Sequence, residues 1–443
     1  MSAFEPVRFA ALTDVGVKRS HNQDACASQP AVDAAGFAAL GHVFVVADGM
    51  GGHAVGEKAS AKAVRDIPFL YSKHARDGVI PAIRRAFQET NAGIFAIGQQ
   101  NPEFRGLGTT STALVLRPEG AWVGHVGDSR AYRVRAGQAE QLTFDHSWVW
   151  EIAKRQGVDP DELGDFKKNV IIRSLGPDPE VEVDIEGPHP VLPGDAFLLC
   201  SDGLTGVVTP QEVGAAVTAL SADDAARFLV HLANLRGGPD NITVMIVQTA
   251  GGDAPGKKAK ARRPGAPARL LAWWNRRVPW PFSLLGAGCA GALLSLVMQQ
   301  AAFPGASLFF GVAALLILGG VVGLIVQYRK PPPPGGVELT ADDAPRELKV
   351  YKRHDCTVTA ALTEKFAQTE ASLLEGMRGQ GVPADFDAHA RLAADADAAA
   401  RLPDATAAFR ARCASLLFLA EAFHKARHKQ ESFRPSWTPS PSP

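Results

Sequence analysis

Four aspartates stand beside turn-forming residues in the N-terminal part of the chain. Their motifs are Asp48-Gly49-Met50-Gly51-Gly52-His53, Gly127-Asp128-Ser129-Arg130, Ser201-Asp202-Gly203 and Pro239-Asp240-Asn241. Asp48 and Asp202 follow strongly apolar runs, and Asp240 precedes one. Because such runs are typical of buried strands, whose ends hold side chains rigidly, we expect the carboxylates to meet at one sheet edge. Ligands that offer only oxygen favour Mg²⁺ or Mn²⁺ over zinc.

Two further motifs lie around these aspartates. Arg19-Ser20-His21-Asn22-Gln23-Asp24 stands upstream, and Gly106-Leu107-Gly108-Thr109-Thr110 stands between Asp48 and Asp128. An Asp-Gly pair alone is a common turn dipeptide and carries little information. As an ordered set, however, the motifs closely resemble the bacterial serine/threonine phosphatase branch of the metal-dependent protein phosphatase 2C family. The resemblance covers about the first 250 residues, a length that fits one large domain.

The resemblance implies a site for two divalent ions, Mn²⁺ or Mg²⁺. Asp48 would bridge both ions, the Gly49 carbonyl would bind one of them, and Asp202 and Asp240 would bind the other. Asp24 would act through a water bound to metal. Two such ions can activate a water for in-line attack on phosphorus, so no protein nucleophile is needed. Taken alone, Asp24 could instead be a turn or cap residue.

Three more residues receive roles from the resemblance. Asp128, together with Asp202, matches the pair that holds a third and weaker ion in bacterial members, although Asp128 alone could also be a turn residue. Arg19 matches the arginine that binds the substrate phosphate, to which a guanidinium offers a bidentate fork. His53 is interpreted either as a proton donor to the leaving alkoxide or as a contact to a nearby water.

Residues 145–176 resemble the mobile flap of the family. Asp165-Phe166 stand there where His-Pro is common in relatives. This departure leaves the substrate preference open, and a small phosphorylated molecule is therefore an alternative to a phosphoprotein.

Composition limits the partners and the cellular compartment that are expected for this chain. The chain has 443 residues with 46 basic and 46 acidic side chains, so its overall charge implies no nucleic-acid partner. Its five cysteines are an odd number at scattered spacings, which indicates a reducing compartment and no disulfide framework. Residues 1–11 lack the pattern of a secretory signal peptide. We therefore expect the parts outside a membrane to be cytoplasmic.

Periodicity predicts a mixed α+β domain over residues 1–250. Alternating or continuous apolar runs predict strands at Phe9–Thr13, His42–Ala47, Ser111–Leu116, Ala121–Val126, Ala131–Arg135, Ala196–Cys200 and Ile242–Gln248. Helical spacing predicts helices at Glu57–Tyr71, Ile80–Ile97, Trp148–Gln156, Pro210–Leu220 and Asp223–Leu235, with Thr209 and Ser221 as N-caps. Strands segregated from paired helices predict an α-β-β-α sandwich, the fold that the resemblance also implies.

Two long apolar stretches follow a basic Gly/Ala/Pro-rich linker at residues 251–281. They occupy 282–327, each is about twenty residues long, and only Phe303-Pro304-Gly305 separates them, so we predict two transmembrane helices in a hairpin. Basic residues on both outer flanks place both ends in the cytoplasm. The alternative is a buried helical hairpin of a globular domain. The predicted location is the inner membrane, multi-pass, with membrane lipid as a partner.

The C-terminal part begins with a Pro-rich linker at residues 328–345. Within 346–432, apolar residues at helical spacing predict two amphipathic helices, at Ala360–Met377 and Thr406–His428. Each apolar face is too narrow to stabilise a lone helix, so we expect the helices to pack on each other and to self-associate or bind a partner. Residues 433–443, rich in Pro and Ser, are predicted to be disordered.

These inferences favour a membrane-anchored, Mg²⁺/Mn²⁺-dependent phosphatase. It would hydrolyse phosphoserine and phosphothreonine on proteins, opposite a cognate Ser/Thr kinase system. The alternative from another class is a catalytically weak phosphoprotein-binding scaffold whose helical tail is the interaction module. The intact set of metal-site residues favours the enzyme.

Overall fold

The computed structural model describes residues 7–51, 56–163, 170–249, 280–301, 309–318 and 348–431. The chain forms two compact units. One comprises Met1–Asp253 together with Pro345–Pro443, and the other comprises Ala254–Ala344.

The strands of the first unit form two antiparallel sheets. In chain order they are β1 Arg8–Asp14, β2 Asp24–Gln29, β3 His42–Met50, β4 Gly108–Thr109, β5 Ser111–Arg117, β6 Gly120–Val126, β7 Arg130–Arg135, β8 Gln138–Gln141, β9 Asp184–His189, β10 Ala196–Cys200, β11 Ile242–Gln248 and β12 Lys352–Asp355. The first sheet has the order β1-β11-β10-β7-β8-β12, and the second has the order β2-β3-β5-β6-β9, with β4 on β3. All seven predicted strands are confirmed.

In the first unit, helices cover the outer faces of the sheets. The described helices are α1 Ala34–Ala39, α2 Gly56–His74, α3 Val79–Gln100, α4 Trp148–Gln156, α5 Asp202–Thr205, α6 Pro210–Ala219, α7 Ala222–Leu235, α8 Trp280–Gln300, α9 Ala360–Gly379, α10 Phe386–Ala400 and α11 Ala405–Glu431. Residues 309–318 are also helical. Both predicted N-caps are confirmed, because the Thr209 side chain accepts from the Glu212 amide and the Ser221 side chain accepts from the Asp224 amide.

Strand β3 shows how the sequence builds the layers. Val43, Val45 and Ala47 belong to the core under α2 and α3, whereas Phe44 and Val46 belong to the core between the sheets. Successive side chains of a strand point to opposite faces, so a continuous apolar run buries both faces at once. The predicted α-β-β-α sandwich is therefore confirmed for this unit.

The C-terminal segment packs onto the sandwich. Strand β12 pairs with β8 at the end of the first sheet, and α9 and α11 lie over α7. The rings of Phe366 and Phe409 lie 5.6 Å apart, and Phe228 of α7 lies 5.3 Å from Phe366. The two predicted helices pack on each other, as expected, and the sandwich covers the apolar face for which the sequence predicted a second copy or a partner.

The same segment contains one helix more than the two predicted. Helix α10 has few large apolar side chains among its many alanines and aspartates. Without a marked apolar stripe, the periodicity gives little signal. The two predicted helices are confirmed with slightly wider bounds, at Ala360–Gly379 and Ala405–Glu431.

The second unit contains α8 and the helical residues 309–318. A Cβ on Gly288 would lie 2.6 Å from Ile317 Cγ1, and one on Gly291 would lie 3.3 Å from Ala313 Cβ, so the two helices run antiparallel in close contact. Within the described residues, no helix reaches the length and apolarity that crossing a membrane requires. The predicted turn at 303–305 and most of the second predicted span lie outside the described residues. The predicted linker at 328–345 and the predicted tail at 433–443 also lie outside them, as does the predicted linker at 251–281 apart from residues 280 and 281.

Candidate active site

Two of the predicted metal ligands face each other across a strand pair. Asp24 begins β2 and is paired in register with Asp48 near the end of β3. Like charges directly opposite each other in an antiparallel pair are destabilising. The strand register therefore concentrates negative charge at this edge, where a proton or a cation has to compensate it.

The first sheet brings Asp202 and Asp240 to the same edge. Asp202 follows β10 and opens α5, and Asp240 lies two residues before β11, the neighbour of β10. A Cβ on Gly203 would lie only 1.9 Å from the Asn241 carbonyl oxygen. Glycine at position 203 thus allows the two aspartate motifs to lie against each other.

Asp128 lies in the turn between β6 and β7. The turn is fixed by Thr110, whose Oγ1 lies 2.8 Å from Ser129 Oγ and also accepts from the Asp48 amide at 3.0 Å. Since Gly127 has φ +115° and a Cβ there would lie 2.5 Å from Thr110 Cβ, only glycine fits. Thr110 therefore couples the turn that carries Asp128 to the strand that carries Asp48.

A serine and a threonine outside the predicted set hold Asp24. Ser201 Oγ donates to Asp24 Oδ2 at 2.7 Å and accepts from the Thr243 amide at 2.9 Å. Burial raises the pKa of Asp24 to about 7, although these hydrogen bonds favour its charged form. Ser201 directly precedes Asp202 in the chain, which is the only sequence signal that could have identified it.

Burial and mutual repulsion shape the remaining carboxyl groups. Burial raises the pKa of Asp48 well above its usual range, and Asp24, Asp202, Asp128 and Asp240 raise it further. Burial raises the pKa of Asp202, Asp240 adds to this, and a hydrogen bond from the Asp48 carboxyl partly offsets it. Buried carboxyl groups that repel one another in this way indicate a site built to receive positive charge.

The donor set fits divalent ions that prefer oxygen ligands. The Oδ1 atoms of Asp24, Asp128 and Asp202 are buried and have no hydrogen-bond partner within the described parts of the chain. In those same parts, no three acidic, imidazole or thiol side chains already enclose a common point as ion ligands would. An ion would satisfy the buried oxygens that lack partners, and the oxygen-only donors match Mg²⁺ or Mn²⁺.

Gly49 is buried beside Asp48 and has no room for a side chain. A Cβ there would lie 2.3 Å from the Gly56 carbonyl oxygen, at the start of α2. This close approach of two backbones places the Gly49 peptide at the carboxylate edge, the sheet edge that carries Asp24, Asp48, Asp202 and Asp240. His53, together with Gly52, lies outside the described residues, as do Asp165 and Phe166 of the flap.

Arg19 stands at the mouth of a cleft of about 700 Å³ whose lining includes Asp128, Asp202 and Asp240. Its Nη2 donates to Asp240 Oδ2 at 2.7 Å, and its side chain is 51% exposed. A half-exposed guanidinium beside a predicted metal ligand is placed to reach an incoming phosphate from solution.

Behind Asp128 lies an ion pair that the sequence interpretation missed. Arg130 Nη2 donates to Asp145 Oδ2 at 2.7 Å, and both residues line the cleft. Burial raises the pKa of Asp128, and Asp202 and Asp145 raise it further, while Arg130 lowers it. Arg130 belongs to the Gly127–Arg130 motif, so its position beside Asp128 was the available signal.

A second network joins the Asp128 turn to the flap. The Gly127 amide donates to His146 Nδ1 at 3.0 Å, and His146 Nε2 lies 3.1 Å from Asp184 Oδ2. Arg173 Nη1 donates to Asp184 Oδ1 at 3.0 Å. Burial would raise the pKa of Asp184, but His146 and Arg173 outweigh it and hold the pKa at about 2. These contacts lie far apart in sequence and left no local signal.

Comparisons with known proteins match the same part of the chain. The family model described as protein phosphatase 2C matches residues 17–234. Protein phosphatase PhpP of Streptococcus pneumoniae is 37% identical over 249 residues, which cover 55% of this chain and 98% of that protein. The solved serine/threonine phosphatase of S. agalactiae is 33% identical, with a TM-score of 0.50 over 55% of this chain and 99% of that one. The catalytic domain of the phosphatase PstP, solved with two manganese ions, is 30% identical, with a TM-score of 0.47 over 55% of this chain and 99% of that one.

Proposed function

Because the chain belongs to the protein phosphatase 2C family and is a metal-dependent serine/threonine protein phosphatase, we propose that it dephosphorylates phosphoproteins at a membrane surface, opposite a Ser/Thr kinase. Its cofactors are Mn²⁺ or Mg²⁺. The observation that supports this function best is the carboxylate edge, at which Asp24 and Asp48 face each other in register and buried carboxyl oxygens lack partners among the described residues.

Each residue of the candidate site would have its own role. Asp24, Asp48, Asp202 and Asp240 would hold two ions with the Gly49 carbonyl, as the sequence predicts. When bound, such ions supply Lewis acidity that activates water and neutralises phosphoryl oxygens.

Asp128 would contribute with Asp202 to a third ion. Arg19 would orient the phosphate with its planar fork, for which its half-exposed position at the cleft mouth is suited. His53 keeps its predicted role as proton donor to the leaving alkoxide or as a water contact.

We also propose that the second unit anchors the enzyme in the inner membrane. The support comes from the apolar length of residues 282–327 and from their basic flanks. The exposed Leu293, Leu294, Leu296 and Val297 of α8 suit contact with lipid. Gly288 and Gly291 let the two helices approach closely, as small residues do between membrane helices.

The activity is tested with the full-length chain. Peptides carrying phosphothreonine, phosphoserine or phosphotyrosine are incubated with enzyme and Mn²⁺, or with enzyme and excess chelator. We expect phosphate release from the first two peptides with Mn²⁺ and none with chelator. Equal hydrolysis of a small phosphorylated metabolite and of the peptides would favour the small-molecule alternative.

The membrane topology is tested by cysteine labelling in intact cells. In a chain whose natural cysteines are replaced, single cysteines are introduced at Ala254, Gly305 or Gly336. An impermeant thiol reagent should label only the cysteine at position 305. Labelling at position 336 in intact cells would indicate an odd number of spans. Cell lysis is the control for access: if none of the cysteines reacted in intact cells but all reacted after lysis, the result would argue against a hairpin.

A further inference from the structure

The C-terminal strand β12 forms part of the wall of the active-site cleft. It pairs with β8 in antiparallel register, with Lys352 opposite Gln141 and His354 opposite Ala139. Alternate residues of a strand share a face. Lys352 and His354 accordingly both line the cleft that contains Asp128 and Asp202. A segment about one hundred residues beyond the family domain thus reaches the substrate cleft.

Lys352 bridges this strand to the flap. Its Nζ donates to Asp159 Oδ1 and to Asp161 Oδ2, each at 2.8 Å. The Lys352 ammonium also lies 5.2 Å from the centroid of the Trp150 ring in α4. Although both aspartates are exposed, the lysine side chain is only 13% exposed. The ammonium therefore ties residues 159–161 to the strand that walls the cleft.

The strand that carries Lys352 is fixed to the sandwich at both of its ends. The Tyr351 amide donates to the Gln141 carbonyl at 2.9 Å, and the Cys356 amide donates to the Gly137 carbonyl at 2.7 Å. Gly214 in α6 leaves room for this strand, because a Cβ there would lie 2.3 Å from Cys356 Sγ. Glycine inside a helix costs about 0.5–1 kcal/mol relative to alanine. The phosphatase domain is thus shaped to receive the C-terminal segment.

His354 adds a polar group to the same wall. Its Nε2 is buried from water and lacks a hydrogen-bond partner within the described residues. Burial lowers the pKa of His354, and the charge of Lys352 lowers it further, so its imidazole is neutral near pH 7. His354 therefore adds a neutral ring, and not a second positive charge, to the cleft wall.

We propose that the C-terminal segment is a fixed wall of the substrate cleft and that Lys352 is a positioning residue that tethers residues 159–161 of the flap. Through this tether the enzyme selects phosphorylated polypeptides over small phosphoesters. A small phosphoester needs only the carboxylate edge and Arg19, whereas a polypeptide extends along the cleft past residues 159–161. The inference rests on the proposed phosphatase function.

The kinetic test uses the full-length chain with Mn²⁺ and two substrates, a phosphothreonine peptide and p-nitrophenyl phosphate. Lys352→Ala should raise KM for the peptide about tenfold, change its kcat less than twofold, and leave both constants for p-nitrophenyl phosphate unchanged. Lys352→Arg, which keeps the charge, should restore most of the affinity. Arg353→Ala is the matched control, since Arg353 lies on the opposite face of β12 and pairs with Glu140 at 3.1 Å.

A second measurement does not depend on activity. Hydrogen exchange of the amides of residues 159–163 should be at least tenfold faster in Lys352→Ala than in the wild type, and unchanged in Arg353→Ala. Unchanged exchange, an unchanged peptide KM, or an equal rise of KM for both substrates would overturn the proposal. A wild-type chain that hydrolyses neither substrate would instead overturn the phosphatase function, while the exchange result would still decide the tether.

Discussion

Replacing Phe366 by alanine tests whether the C-terminal segment and the sandwich share one core. Phe366 is fully buried, and its ring lies 5.3 Å from Phe228 of α7 and 5.6 Å from Phe409 of α11. The substitution removes a whole aromatic side chain at the junction of three helices. Such Phe→Ala changes cost about 3–5 kcal/mol, because the transfer free energy is lost and a cavity remains.

The expected shift in melting temperature follows from the size of the unit. The sandwich and the C-terminal segment belong to one compact unit, whose roughly 350 residues correspond to an unfolding entropy of about 0.7 kcal/mol/K. A loss of about 4 kcal/mol then lowers Tm by about 5 °C. Because the sandwich and the C-terminal segment belong to the same unit, phosphatase activity and the helical circular dichroism signal of the segment should be lost at the same temperature.

The assay is thermal unfolding of the full-length chain, followed by circular dichroism and by residual phosphatase activity. Phe69→Ala is the matched control, because Phe69 is 67% exposed on α2 and its loss should change stability by no more than about 0.5 kcal/mol. In Phe366→Ala, the helical circular dichroism signal could fall at a lower temperature while activity is lost at the same temperature as in the wild type. The segment would then be an independent domain, and the reasoning would be refuted.

Three further outcomes are expected. Arg19→Ala should raise KM for phosphopeptides about 5- to 30-fold with little change in kcat, because a charge-assisted contact of about 1–2 kcal/mol is lost at a half-exposed site. Arg19→Lys should recover part of the lost affinity. An unchanged KM in Arg19→Ala would exclude Arg19 as a phosphate ligand. Asp240→Ala should reduce kcat by several orders of magnitude and abolish the rise in Tm that Mn²⁺ gives the wild type, whereas an undiminished rise would remove Asp240 from the metal site. Glu212→Gln should destabilise the unit by roughly 3 kcal/mol at pH 7, because burial would raise the pKa of Glu212 but hydrogen bonds from Arg236 and Lys365 hold it at about 2. This contribution is complete above the ordinary pKa of 4.5 and is lost as pH falls through about 2, so denaturant titrations of wild type and variant should converge in acid.

Much of the sandwich could be predicted because its signals are local. The apolar runs that became β3, β10 and β11 are buried on both faces, which only an interior strand of a covered sheet requires. Shorter or more polar strands, such as β2 and β8, carry no such run and went unpredicted. Their strand character comes from the neighbour they pair with, since β-structure depends strongly on context.

The candidate site also contains residues that the sequence could predict and contacts that it could not. Asp48, Asp202 and Asp240 were predictable because each adjoins a strand that its own sequence specifies. The support for Asp24 from Ser201 and the network of His146 with Asp184 were not, because each joins residues 38 or more positions apart. A pattern read along the chain records spacing within an element, and these contacts depend on how elements pack.

The sequence by itself therefore determined the family of this protein and its candidate metal ligands, which are acidic side chains placed at the ends of buried strands. Only the tertiary structure decided where the C-terminal segment lies. Its helical faces predicted burial but specified no partner, because an apolar stripe is satisfied by any complementary surface. The register of β12 on β8, the space left by Gly214 and the Lys352 contacts to Asp159 and Asp161 select that surface. They place the segment at the cleft that Asp128 and Asp202 line.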